Sequence, residues 1–151
     1  MTTKLRARLI GAWQLVSFSF DPVDGSDAMP PLGPRPTGLL VYTESGFMSA
    51  QISGANRPKV ASGDWSQAAP REYAALASSY IAYAGSFEVD EDSRSVIHFV
   101  DMSLIPFWVG VPQQRLARLD RDHLYLTTGQ PLLFNGKLGH ASLKWRRADT
   151  A

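Results

Sequence analysis

His98 is the residue in this chain best suited to moving a proton. It stands in the run VIHFV, residues 96–100. If that run is a strand, its two-residue alternation puts His98 on one face with Val96 and Val100. An imidazole among aliphatic side chains can act as general acid or base near neutral pH. The plainer role is a neutral, buried histidine hydrogen-bonded to a neighbour, and the sequence leaves both roles open. Asp101 is in phase with Ile97 and Phe99 on the other face, so this strand does not by itself supply an Asp–His dyad.

Arg115 is the second candidate. Alternation through residues 113–119 groups Gln113, Arg115, Ala117 and Leu119 on one face and Gln114, Leu116 and Arg118 on the other. Facing inward, Arg115 would grip a carboxylate or enolate oxygen in a low-dielectric setting. Facing outward, it is a solvated strand arginine. An inward His98 and Arg115 on neighbouring strands would form a polar patch inside an apolar cavity, the usual make-up of a small-molecule site. Tyr42, Met48, Gln51, Phe87 and Trp108 complete the candidate ligand-binding set. Trp108 stands with Leu104, Ile105 and Phe107 in an apolar bend that reads as a lid or rim. Loop packing is the ordinary alternative, and a partner or membrane patch is a third. Tyr73, Tyr80 and Tyr83 read as core on a helical stripe.

Other chemistries lack their signatures. The chain has no cysteine, which excludes disulfides, thiolate metal sites and cysteine nucleophiles. His98, His123 and His140 are far apart in sequence and lack metal-ligand spacing; His123 reads as a turn residue and His140 as a loop residue. No G-x-S-x-G, Walker or G-x-G-x-x-G motif occurs. No metal and no cofactor is expected. With 15 basic and 14 acidic residues the net charge is +1, too little positive field for nucleic acid or an anionic membrane surface.

The elements that must position these residues are cut out by turn-forming clusters. Residues 3–10 read as a short helical turn, with Leu5 and Leu9 on one face and Gly11 ending it. Strands are expected at 13–20, 37–43, 47–52, 85–90, 94–102, 113–119, 123–128 and 141–147. Residues 70–83 read as a helix, from Pro70 at its first turn and apolar spacing through Tyr73, Leu76, Ala77 and Tyr80. Residues 129–140 read as a loop. About eight amphipathic strands joined by tight turns make an all-β protein, an antiparallel up-and-down barrel, and at that size a barrel can hold one small ligand. A β-sandwich is the rival. At 151 residues a single domain spanning 1–151 is expected.

Gly11-Ala12-Trp13 near one end and Trp145-Arg146-Arg147 near the other form a pairing that resembles the lipocalin superfamily. The resemblance implies that Trp13 closes one end of the barrel and that an arginine of the last strand, Arg147, packs over its indole. More of the chain is similar to microbial lipocalin-like domain proteins. The matching stretches are GAWQLVS at 11–17, PLGPRPTGLLVYTESGFMSAQ at 31–51, YIAYAGSFEV at 80–89 and VIHFV at 96–100. Trp108-Val109-Gly110, Gln113 to Arg115 and LYLT at 124–127 follow in order. Phe107 departs from the pattern, which has a more polar residue there. The resemblance implies a lipocalin-like barrel; some members sit in secondary-metabolite pathways, where related barrels bind or cyclise intermediates.

Two functions follow as expectations. One is a module that binds a small, mostly hydrophobic metabolite inside the barrel. The other is a cofactor-independent isomerase, cyclase or dehydratase acting on a polyketide- or terpenoid-like intermediate, with His98 moving the proton and Arg115 steadying negative charge. Residues 1–10 lack the apolar stretch of a secretory signal. A cytoplasmic protein is therefore expected, a monomer or homodimer, whose partner is a small hydrophobic molecule rather than nucleic acid or membrane.

Overall fold

Alternation of inward apolar and outward polar side chains runs through the long strands of the computed structural model, which describes residues 3–149. The strands are β1 (Gly11–Pro22), β2 (Thr37–Tyr42), β3 (Phe47–Ser53), β4 (Tyr80–Asp90), β5 (Ser95–Ser103), β6 (Pro112–Asp120), β7 (His123–Thr128), β8 (Leu132–Phe134) and β9 (Lys137–Arg147). Each pairs antiparallel with its neighbour in the order β1 to β7, then β9, and β9 returns to pair with β1. Eight strands thereby close a barrel, and short β8 hangs on β9 as a hairpin arm. Closure excludes the sandwich and removes the sheet edges that would otherwise invite pairing with other chains.

Strand β1 serves two partners. Gly11 to Gln14 pair with β2, while Trp13 to Pro22 pair with β9 around an irregularity between Leu15 and Ser17. Short α1 (Leu5–Leu9) buries Leu5 and Leu9 against the barrel core. Gly11 turns the chain from this helix into β1 with φ +125°, and a Cβ there would lie 2.9 Å from Arg147 Nη1. Only glycine combines that backbone with that closeness.

The structure corrects three sequence expectations. The helix expected over 70–83 is α2 (Pro70–Ser78), and Tyr80 already begins β4. The segment 80–84, YIAYA, has no local feature that forbids helix, but its ladder to β3 from Ser53↔Tyr80 to Ala50↔Tyr83 decides otherwise. Tyr73 is consequently exposed, and Tyr80 is half-buried with its hydroxyl donating to Gln51 Oε1 at 2.7 Å, while Tyr83 enters the barrel core. Finally, residues 129–140 are not a loop. Asn135 and Gly136, both with positive φ, make the tight turn of the β8–β9 hairpin, which carries His140 into β9.

Candidate functional site

The two ends of the barrel are built differently. At one end α1 lies across the opening. Trp13 Nε1 donates to Leu9 O at 2.9 Å, and the Arg147 guanidinium stacks 4.1 Å above the Trp13 ring while donating to the carbonyls of Ile10 (3.0 Å) and Arg8. Glu91, in the β4–β5 turn, accepts from the backbone N–H groups of Leu5 and Arg6 at the start of the helix. The expected partners Trp13 and Arg147 thus sit together over the closed end. At the other end the chain leaves β5 into a single 3-10 turn (Pro106–Trp108) and returns as β6. Its own backbone bonds knit that bend, Trp108 N–H to Ile105 O and Val109 N–H to Pro106 O among them.

Between the ends, a polar cluster lies on the inner wall. His98 and Tyr42 are fully buried, with Tyr83 and Arg115 nearly so. Tyr42 Oη is 2.7 Å from His98 Nε2, and Tyr83 Oη is 3.4 Å from His98 Nδ1. Strand phase accounts for the grouping: Tyr42 ends β2, Tyr83 faces inward with Phe87 on β4, His98 with Val96 and Val100 on β5, and Arg115 with Ala117 on β6. Arg115 Nη1 donates to Gln114 O at 3.1 Å and reaches Gln113 Oε1 at 3.5 Å. Among the described residues no carboxylate lies within ion-pairing distance of Arg115.

Burial holds the imidazole well below the usual histidine range, and the nearby Arg115 charge pushes the same way. His98 is therefore neutral at pH 7. Burial also pushes the Tyr42 hydroxyl well above the usual phenol range; Tyr83 adds to that shift and Arg115 opposes it. Both His98 nitrogens are engaged by tyrosine hydroxyls, so any proton passing between this imidazole and a guest would run through a tyrosine.

The other candidates separate by face. Met48 and Phe87 are buried in the core, and the Phe87 ring meets Tyr42 edge-on at 4.8 Å. These side chains, with His98, fill the lower barrel. Trp108 is half-buried and stands edge-on to Tyr83 at 5.6 Å, above the polar cluster. Gln51 is the exception. It alternates with the buried Ala50 and Ile52 of β3 and so faces outward, bonded to Tyr80, away from the interior. Phe107 projects into solvent at 78% exposure. Tyr83 was placed on a helix by sequence reasoning; its spacing from Gly85 and Phe87 was the signal that joins it to the inner face.

A shallow depression of about 470 Å³ lies elsewhere, on the outer wall across β1, β6, β7 and β9. Arg118 and Lys144 flank the Tyr125 ring there at 3.9 and 5.5 Å. Arg118 alternates with the inward Arg115 and Ala117, so the sheet separates this depression from the inner cluster.

The pattern that defines the lipocalin-like domain matches residues 10–148. The chain belongs to the lipocalin-like domain family. A curated relative, the 4'-hydroxy-3'-methoxypropiophenone carrier protein of Aspergillus oryzae, is 33% identical over 106 residues, covering 66% of this chain and 96% of the relative. In this lipocalin-like barrel all nine strands and the polar inner wall fall within the matched region, while α1 at the closed pole precedes it.

Proposed function

We propose that this lipocalin-like protein binds a small, mostly apolar molecule carrying one polar end, and acts as its carrier. The observation that carries the reading is the inner-wall placement of Tyr83, His98 and Arg115 beneath Trp108, in a barrel lined mostly by aliphatic and aromatic side chains, with Thr128 a further polar residue opposite Arg115. Small-molecule sites combine these features: apolar walls for affinity and a few polar groups for orientation. The guest enters at the Trp108 bend and takes the place of the indole that now rests edge-on against Tyr83. The name of the Aspergillus oryzae relative supports the carrier role, since it specifies a phenolic aryl ketone as cargo.

Native mass spectrometry and thermal-shift titration test the reading directly, with 4'-hydroxy-3'-methoxypropiophenone as the first probe and other aryl ketones after it. Saturable one-to-one binding with a raised melting temperature is expected. Absence of stabilisation across such a set would overturn it.

A further inference from the structure

The hydrogen-bond polarity of the inner cluster can be followed from its deepest member outward. Tyr42 is fully buried, and His98 Nε2 is the partner of its hydroxyl among the described residues. A buried O–H left without an acceptor is costly, so Tyr42 donates to Nε2. The neutral imidazole then carries its proton on Nδ1 and donates it to Tyr83 Oη. That leaves the Tyr83 O–H as the free end of the chain, a donor with no protein acceptor among the described residues.

Arg115 adds a second, stronger demand of the same sign. It is 8% exposed, and among the described residues its partners are the Gln114 carbonyl and the Gln113 amide oxygen. A guanidinium has five N–H donors and no acceptor. Taking such a charge out of water without a counter-ion is expensive. Arg115 stands opposite Val96, which shares the inner face of β5 with His98, and this places the guanidinium beside the tyrosine–histidine chain.

Resting on the carrier reading above, we propose that the guest presents an anionic oxygen, a carboxylate or an ionised phenol or enol, to Arg115 and the Tyr83 hydroxyl. A wall whose unsatisfied polar groups are the Tyr83 O–H and the guanidinium N–H donors of an unneutralised cation favours a negatively charged acceptor over a neutral one. Arg115 is then the specificity-determining residue, and the Tyr42–His98 pair is a positioning device that holds the Tyr83 proton toward the guest.

Calorimetric titration of the full chain with 2-naphthoate and with 2-acetylnaphthalene tests the proposal. The two probes share a ring system and a carbonyl oxygen and differ in charge. The carboxylate is expected to bind roughly ten- to a hundredfold tighter, the margin supplied by hydrogen bonding to a charged group. In Arg115→Gln the two affinities are expected to converge, while Arg115→Lys retains a preference for the carboxylate. Equal affinities in the unsubstituted protein would overturn the anion proposal and leave the carrier reading standing. So would a carboxylate preference that survives Arg115→Gln. Binding of neither probe would count against both. The comparison of the two probes on the unsubstituted protein decides the matter even if Arg115→Gln fails to fold.

Discussion

The closed pole and the open rim of this barrel are assembled from similar materials, a tryptophan and a few apolar neighbours, with opposite results. At the closed pole Trp13 is fully buried, its N–H is satisfied by Leu9 O, and Arg147 covers its ring while holding two further carbonyls. At the rim Trp108 is only half-buried, and Met102 and Phe107 stand in water at 65% and 78% exposure. The closed pole uses its interactions to hold α1 and the strand ends in one arrangement. The rim bend is tied to the barrel by Leu104 N–H to Ala82 O and Gly110 N–H to Val100 O, and it leaves apolar surface uncovered, which suits the proposed entry of a guest.

The largest test of that contrast is Trp13→Ala. It deletes a fully buried indole at the pole and is expected to cost about 3–5 kcal/mol in denaturant unfolding. Arg147→Met keeps an apolar stem over the ring but loses the cation–π contact and the carbonyl bonds; a loss of about 1–3 kcal/mol is expected from the same measurement.

His98, midway between the regions, gives a pH signature. Its folded-state pKa is depressed, so below the ordinary histidine value of about 6.5 the unfolded chain takes up a proton that the native protein refuses. The stability it confers is full above that pH and is lost as pH falls, at up to about 1.4 kcal/mol per pH unit. Unfolding curves from pH 7.5 down to 5 should show the slope, and His98→Gln should flatten it. The carboxylates whose pKa values are lowered, Asp24, Glu72, Asp90 and Glu91, titrate below this window. The smallest effect is expected at the rim: Phe107→Ser should change stability by no more than about 0.5 kcal/mol. A loss as large as that of Arg147→Met would erase the distinction between the two ends.

The inner face was readable where alternation is strict. Val96, His98 and Val100 on one strand and Arg115 and Ala117 on the next are consecutive inward positions, and period two needs no tertiary knowledge. The pairing of Gly11-Ala12-Trp13 with Arg147 was readable only through the resemblance to lipocalins, and the structure supplies its physical reasons, the close approach at Gly11 and the guanidinium over the indole. Tyr83 was lost because residues 80–83 also satisfy a helical period, and only pairing with β3 breaks the tie. The start of β9 was lost by treating Asn135-Gly136 as loop filler rather than as a two-residue hairpin turn. Gln51 was misplaced because the inward phase of β3 is fixed by Met48, Ala50 and Ile52, and a polar residue one step off that phase carries no local sign of it.

The double duty of β1 shapes how this molecule is made. Its second partner, β9, is the last strand of the barrel to be made, so the cylinder stays unzipped until β9 emerges. Until then β1 and β7 both offer unpaired backbone to solvent or to one another's copies. Joining the first and last strands of the barrel is a slow, entropy-limited step, and exchange of β9 between two nascent molecules is the error this topology invites.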